Sequence, residues 1–368
     1  MPNFIPGLKL CEGFFHGAVK PVLEAEFPEL EYAAALIGSG SEVLGFDTEM
    51  SSDHHWGPRA MLFMSTQGKG QYEDAITETM KHKLPYTFQG YSTNFGEPIF
   101  TPSDHGTQLL ETVESGPVNH RVEIYDLHQF FASYLGIENV EQLSASDWLT
   151  MPGQNLRAVT AGAVYHDGPG KLTGLRTKFT YYPNEVWLYM LLAGWARIGQ
   201  EEHFLGRTGY VGDELGSRLI GARLVHDLMN LCFLIEKEYA PYSKWFGTAF
   251  AKLDCAKQLT PLFNDALSAQ TWQVREKHLC AAYQIVAKMH NDLGITEPIE
   301  AKVSSFHGRP FMVIHGELFT DALRAQISDP IMRRIAENTH VGAIEQFSTN
   351  TDLLSDTEIA RKIRSIYR

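Results

Sequence analysis

The chain has few cysteines, no long apolar run and no excess of positive charge, and each shortage removes a class of explanation. Of 368 residues only four are cysteine, Cys11, Cys232, Cys255 and Cys280, and none sits in a C-x-x-C pair. That usage argues against a disulfide framework and a cysteine zinc site, and it predicts reduced core thiols in a cytoplasmic protein. No apolar run approaches the ~18–20 residues a membrane span needs. The opening stretch MPNFIPGLKLCEGFF lacks a basic region followed by a clean apolar run, so no secretory signal is expected. Lys plus Arg number 31 against 44 Asp plus Glu, a net charge of −13. A broad nucleic-acid-binding surface needs clustered positive charge, so that partner is not expected. A nucleotide is compatible with the balance, because bound metal and one or two basic side chains suffice to neutralise its phosphates. No internal repeat or low-complexity tract is present.

What the chain does have is enough length and enough apolar side chains, 44% of the total, for two domains each with a core. The first ~150 residues mix periodicities, as α/β and α+β domains do. PVLEAEFPEL reads as helix, and the apolar run Ala33 to Ile37 as a strand stopped by Gly38. HWGPRAMLFM is a second strand whose regular part starts after Arg59 because of Pro58. PYTFQGYSTNF and HRVEIYDL are further strand candidates, and LHQFFASYLGI is a helix ending at Gly136. Residues 158–182 read as a hairpin turning at Asp167-Gly168-Pro169-Gly170. Beyond Pro183 the period becomes helical, interrupted by one extended stretch, RPFMVIH. The expected organisation is therefore a mixed β-sheet domain over 1–157, a hairpin connection over 158–182 and a mainly helical bundle over 183–368, an α+β protein.

In the helix from Ser217 to Lys237, apolar almost all round, Arg223, His226, Asp227 and Asn230 fall at i, i+3, i+4 and i+7 on one face. Unpaired buried polar groups are costly, so this stripe either forms an internal network or lines a cleft.

Three small constellations carry possible chemistry. Gly38, Ser39, Gly40 and Ser41, following a strand, can turn backbone N–H groups and hydroxyls toward an anion, and equally can be a plain turn. No G-K-[ST] follows, so it is not a Walker loop. Asp53 and His55, two apart, point to one side if they lie in a strand and can then share a divalent cation. Glu123 in RVEIYD falls on the polar side of its strand, with Val122 and Ile124 opposite, and can complete such a site; Asp126 is the competing carboxylate. In the second half, Lys244 in YAPYSKW suits a triphosphate as a point charge or is a solvated lysine. Glu185 at a helix start suits a general base or simply complements the helix dipole.

A Gly-Ser turn after a strand, an acid in the next strand and a later strand carboxylate resemble the nucleotidyltransferase superfamily. More narrowly, GSGSEVLGFDTEMSSDHHWGPR, TAGAVYHDGPGKL, YYPNEVWLYMLL, GRTGYVGDELGSRLIGARLVHDLM and EKEYAPYSKWFGTAFAKL resemble the nucleotidyltransferase-like family called domain of unknown function 4037. The resemblance spans about residues 33 to 257, and the tail FHGRPFMVIHGELFTDALRAQI fits as well. It implies a small mixed sheet flanked by helices and then a helical domain closing a nucleotide cleft. By position it implies that Gly38, Ser39 and Ser41 meet phosphates, that Asp53 is the first metal carboxylate, and that Glu123 is the later one. Where the superfamily places a second acid this chain has His55, which adds no negative charge to offset Mg²⁺. The activity implied is transfer of a nucleoside monophosphate from a nucleoside triphosphate to a small-molecule or protein acceptor, with Mg²⁺ or Mn²⁺ held by Asp53, His55 and Glu123 and phosphates met also by Lys244 or Arg223. Two other readings compete. One is a nucleotide- or partner-binding protein that has lost catalysis. The other is a His-Asp metal phosphohydrolase built on His226 and Asp227, His166 and Asp167 lying in the expected turn. The Asp53-His54-His55 triplet also matches a phosphoesterase signature, but no acidic D-x-D strand precedes it.

Overall fold

The computed structural model describes residues 4–52, 55–101 and 104–368, so Asp53 and His54 lie outside the described residues. In chain order the elements begin with helix α1 (Gly7–Phe14), a π-helical run over Phe15–Val19, α2 (Lys20–Glu26), strands β1 (Ala33–Leu36) and β2 (Arg59–Met64), and α3 (Thr66–Lys83). The short strands β3 (Thr87–Phe88), β4 (Tyr91–Ser92), β5 (Ile99–Thr101) and β6 (Asp104–Thr107) come next, then β7 (Arg121–Asp126) and α4 (Leu127–Leu135). After them stand α5 (Ala145–Thr150), α6 (Gly153–Thr160), β8 (Ala163–Asp167) and α7 (Lys171–Lys178). The remainder is mainly helical: α8 (Asn184–Tyr210), α9 (Glu214–Ile235), α10 (Phe246–Phe250), α11 (Ala256–Ser268), α12 (Trp272–Asp292), a two-stranded pair β9 (Ser304–Ser305) and β10 (Met312–Val313), α13 (Gly316–Gln326), α14 (Pro330–Asn338) and α15 (Ile344–Phe347), with three short helices after it. The class is α+β, as expected. The chain divides into two compact units, Met1–Val140 with Asn155–Thr180, and Glu141–Gln154 with Tyr181–Arg368.

The first unit is built on a four-stranded sheet ordered β7-β2-β1-β8. β7 runs parallel to β2, and the other pairings are antiparallel, so the sheet is mixed. Alternation along the strands sorts the two faces. Ala34, Ala60, Leu62, Met64, Val122 and Ile124 join Phe14, Phe15, Val19 and Leu23 of the N-terminal helices and Ile76 and Met80 of α3 in one core. The opposite face carries Arg59, Met61 and Phe63 of β2 in register with Arg121, Glu123 and Tyr125 of β7. α4 starts where Asp126 accepts the Gln129 N–H at 2.7 Å, and stops at Gly136, whose φ of 67° is the left-handed geometry of a helix end.

Two expectations change. Residues 158–182 are not a hairpin. β8 ends at Asp167 but pairs with β1, and the segment after the turn is α7. The turn chemistry is sound, since Gly170 is left-handed and the Asp167 carboxylate accepts the Thr173 N–H at 2.8 Å, but here it starts a helix rather than a returning strand. PYTFQGYSTNF is not one strand but the pair β3–β4, because Gln89 and Gly90 at φ 50° and 87° reverse the chain.

In the second unit α8, 27 residues long, packs against α9 and α13. Trp195 stacks on Phe319 at 4.0 Å between ring centres and donates to His290 at 3.3 Å. Arg275 is buried and held by Ser217, the Ala269 carbonyl and the partly exposed Glu214, which answers its charge. The polar stripe on α9 pairs largely within the unit. Arg223 meets Glu201 and Asp227 meets Arg197, both partners on α8, and Asn230 donates to His226. All four cysteines are free and buried.

Candidate functional site

The Gly38–Ser41 turn leaves β1 at the edge where β2 and β7 begin. Gly38 has φ 88° and Gly40 φ 142°, backbone conformations that side chains avoid, and a Cβ on Gly40 would stand 2.7 Å from the Glu42 carboxylate. The turn is fixed from below. Arg59, the first residue of β2, donates to the Ser39 carbonyl at 3.2 Å and forms a buried ion pair with Glu42. Burial works against the guanidinium charge, but Glu42 together with Cys11 and Glu123 more than offsets it, so Arg59 stays charged. Its Nε is buried with no hydrogen-bond partner among the described residues. The Ser39 hydroxyl meets the Tyr134 hydroxyl at 2.9 Å.

Gly38 and Ser39 open onto a pocket of about 580 Å³ over the polar face of the sheet, lined also by Arg59, Lys69, Arg121, Glu123, Tyr125, Asp126, Phe130 and Tyr134. Among the described residues three lining cations face two lining carboxylates, in a chain whose net charge is −13. One of the carboxylates, Asp126, is engaged in capping α4 and in accepting from the Thr66 hydroxyl. Each cation is paired, Arg59 with Glu42, Lys69 with Glu73 and Arg121 with Glu123, and the aromatic side of the pocket is formed by Tyr125, Phe130 and Tyr134. Burial and then the Glu123 charge push the Tyr125 phenol up to about 12, so it is neutral and can donate.

Glu123 is on the pocket face, as the alternation of its strand predicts, with Val122 and Ile124 buried opposite. Its Oε1 accepts from Arg121 at 2.9 Å, and the same guanidinium donates to His55 Nδ1, also at 2.9 Å. Arg121 thus stands between the two described members of the expected metal set and uses lone pairs that a cation would need. His55 is not in a strand: β2 begins at Arg59, and His55 has a left-handed φ of 54°. Asp53 lies outside the described residues. Among the described residues no group of three or more His, Cys, Asp or Glu side chains is placed to hold a metal ion. As arranged, His55 and Glu123 fit a guanidinium better than a divalent metal.

Glu185, Lys244, Arg223, His226 and Asp227 belong to the second unit. Glu185, in the first turn of α8, accepts the Ser328 and Asp329 N–H groups at 2.8 and 3.0 Å and the Ser328 hydroxyl at 2.8 Å. Partial desolvation raises its carboxyl, but these hydrogen bonds outweigh that and hold it below the usual glutamate range. Both oxygens are thus engaged in fixing the approach to α14. Lys244 is exposed on a 3₁₀ turn over Ser243–Trp245, its ammonium 5.0 Å from the Trp245 ring centre. Arg223 is half-exposed and paired with Glu201. His226 and Asp227 lie on α9, but Asp227 is taken by Arg197. His166 and Asp167, by contrast, lie in the first unit at the end of β8, where the Asp167 carbonyl accepts the Gly170 N–H at 3.2 Å across the turn.

Sequence alone passes over Arg59, Glu42, Lys69 and Arg121. A signal existed, since Arg59 and Arg121 each open an apolar strand on the same alternation phase as Glu123. Their alignment appears only once β2 and β7 are known to pair in register.

A family model described as Domain of unknown function (DUF4037) matches residues 148–246. That segment lies within the span of the resemblance noted from sequence but does not include the Gly38–Ser41 turn, Asp53 or Glu123. No curated protein matches the chain. Among solved structures, the chain is similar to a nucleotidyltransferase-like protein from Exiguobacterium sibiricum 255-15, at 11% identity over 80% of this chain and 83% of that one, with a TM-score of 0.33. That degree of likeness transfers no residue role to the pocket. No helix among the described residues is long and apolar enough to cross a membrane.

Proposed function

We propose that the first unit binds a nucleoside triphosphate in the pocket beside the Gly38–Ser39 turn. The observation that carries the reading is a glycine turn opening onto three cationic side chains, Arg59, Lys69 and Arg121, in an otherwise acidic chain. Phosphates would lie against the turn and these cations, and the base against Tyr134 and Phe130. The volume is within the range of small-molecule sites. Arg59 acts as a positioning residue for the turn, and its unpaired Nε is a donor with no protein acceptor among the described residues. Of the readings open from sequence, this favours nucleotide binding without transfer, because Arg121 holds both His55 and Glu123.

One observation favours the second reading, metal-dependent nucleotidyl transfer to a small-molecule or protein acceptor: Glu123 does face the pocket. That reaction would need Asp53 together with a Glu123 released from Arg121. Calorimetric titration with ATP and GTP, with and without Mg²⁺ or Mn²⁺, separates the two when paired with a pyrophosphate-release assay. The binding reading expects micromolar-to-millimolar saturation without added metal. It also expects Arg121→Ala to weaken binding roughly 10-fold or more, as loss of charge-assisted hydrogen bonds implies. Metal-dependent pyrophosphate release by the wild type would establish transfer instead. Absence of nucleotide binding under every metal condition would remove both.

A further inference from the structure

The second unit holds a pocket of about 230 Å³ that no reading above uses. It is lined by His226 and Asn230 of α9, by Tyr242 and Phe246, and by Gly153 and Glu345 among others, and among the described residues no lysine or arginine lines it. A phosphate or carboxylate ligand would find no counter-charge there. All of these residues except Glu345 fall within the 148–246 family match.

Glu345 gives the pocket its chemistry. Its Oε1 accepts from the Tyr182 hydroxyl at 2.9 Å, and the Gly153 N–H also faces the carboxyl. Its Oε2 is buried with no hydrogen-bond partner among the described residues. A buried unpaired acceptor costs on the order of 1–3 kcal/mol, which a donor arriving in the pocket would offset. Asn230 Nδ2 donates to His226 Nδ1 at 3.2 Å, which leaves the imidazole proton on Nε2, and the ring stacks on Phe246 at 5.1 Å between centres. Phe246 and Tyr242 place aromatic groups at the same pocket, the surroundings a cation prefers.

We propose that this pocket binds a small molecule bearing an ammonium group, with the Glu345 carboxylate as its counter-ion and Phe246 and Tyr242 as its aromatic wall. The volume corresponds to about eight waters of liquid, so the ligand is small. Burial raises the Glu345 carboxyl, so its ionised form is costlier in the empty pocket than in water. An arriving ammonium stabilises the carboxylate, and the displaced proton goes to solvent.

The test uses the full chain and phenethylamine, with phenethyl alcohol as its neutral analogue and inorganic phosphate as the anion. Calorimetry is expected to show saturable binding of the amine, at least 10-fold weaker binding of the alcohol and none of phosphate. Titration of the amine in two buffers of different ionisation enthalpy is expected to show net proton release, a measurement that needs no variant. Glu345→Gln is expected to weaken the amine at least 10-fold with an unchanged circular-dichroism spectrum. Equal binding of amine and alcohol, preference for phosphate, an unaffected folded Glu345→Gln, or no saturation by the amine each overturns the proposal.

Discussion

At the scale of single residues, arginines and glutamates decide what the polar pockets are. Glu123 was legible because strand alternation exposes it, whereas Arg121's role was not, since neither sequence distance nor periodicity says that His55 lies beside it. Glu202 shows a different use of a carboxylate. It is buried on α8 and accepts the Ile314 N–H at 2.6 Å and the Gly316 N–H at 3.2 Å, tying the β10–α13 segment to the helix. Burial pushes its carboxyl up to about 7 against those two bonds. A raised acid binds more protons folded than unfolded between its unfolded value of about 4.5 and 7, so it makes stability fall as pH rises through that window. Glu276, raised by burial to about 7, acts in the same sense, and His290, lowered by burial to about 4, in the opposite one. Comparing the wild type with Glu202→Gln cancels the other two. The gap in unfolding free energy should be largest near pH 5, where the variant loses on the order of 1–3 kcal/mol because its amide meets a backbone N–H. It should narrow toward pH 8. Denaturant melts giving parallel stability–pH curves would show that Glu202 does not titrate as described.

At the scale of elements, the long helices were the most legible part, because sustained apolar periodicity after Pro183 specifies them without knowledge of their neighbours. The strands are readable with their faces, but not with their partners. From sequence β8 reads as one arm of a hairpin, because Asp167-Gly168-Pro169-Gly170 announces a reversal that a helix start satisfies as well as a returning strand does. Its actual partner β1 begins at Ala33, opposite Asp167. Helix α8 also carries a requirement that its periodicity hides. Gly209 sits where a Cβ would come within 2.2 Å of the Trp272 ring, at the start of α12. Alanine would favour the helix by about 1 kcal/mol on propensity alone. Overpacking a core position costs about 1–3 kcal/mol, and a 2.2 Å approach to a large ring is severe, so the clash wins. Gly209→Ala is therefore expected to lower stability by about 1–2 kcal/mol net, measured by urea unfolding. A stabilised single variant would mean that Trp272 has room to move and that the glycine is incidental.

At the scale of the whole chain, the two units do not follow one cut in the sequence. The chain leaves the first unit after Val140, returns at Asn155 within α6, and leaves again after Thr180. Change of periodicity locates Pro183 well, but it cannot register a short segment donated from upstream, because α5 is too brief to carry a period. That segment is well anchored in the second unit. Trp148 and Leu149 are buried, the Trp148 ring meets Tyr182 edge-on at 6.2 Å, Asp147 pairs with Arg364, and the Tyr367 hydroxyl donates to the Leu149 carbonyl at 3.4 Å. Fully burying one large apolar side chain contributes roughly 1.5–3 kcal/mol, so two of them are a large fraction of the about 5–15 kcal/mol that stabilises a typical domain. A fragment of residues 183–368, cut where the helical pattern begins, is expected to melt at a lower temperature and over a broader range than one of residues 141–368. Adding a peptide of residues 141–154 in trans should raise the melting temperature of the shorter fragment, and a peptide with Trp148→Ala and Leu149→Ala should not. Equal melting of the two fragments, or no response to the wild-type peptide, would mean that α5 adds little to the second unit and that its boundary lies at the change of periodicity after all.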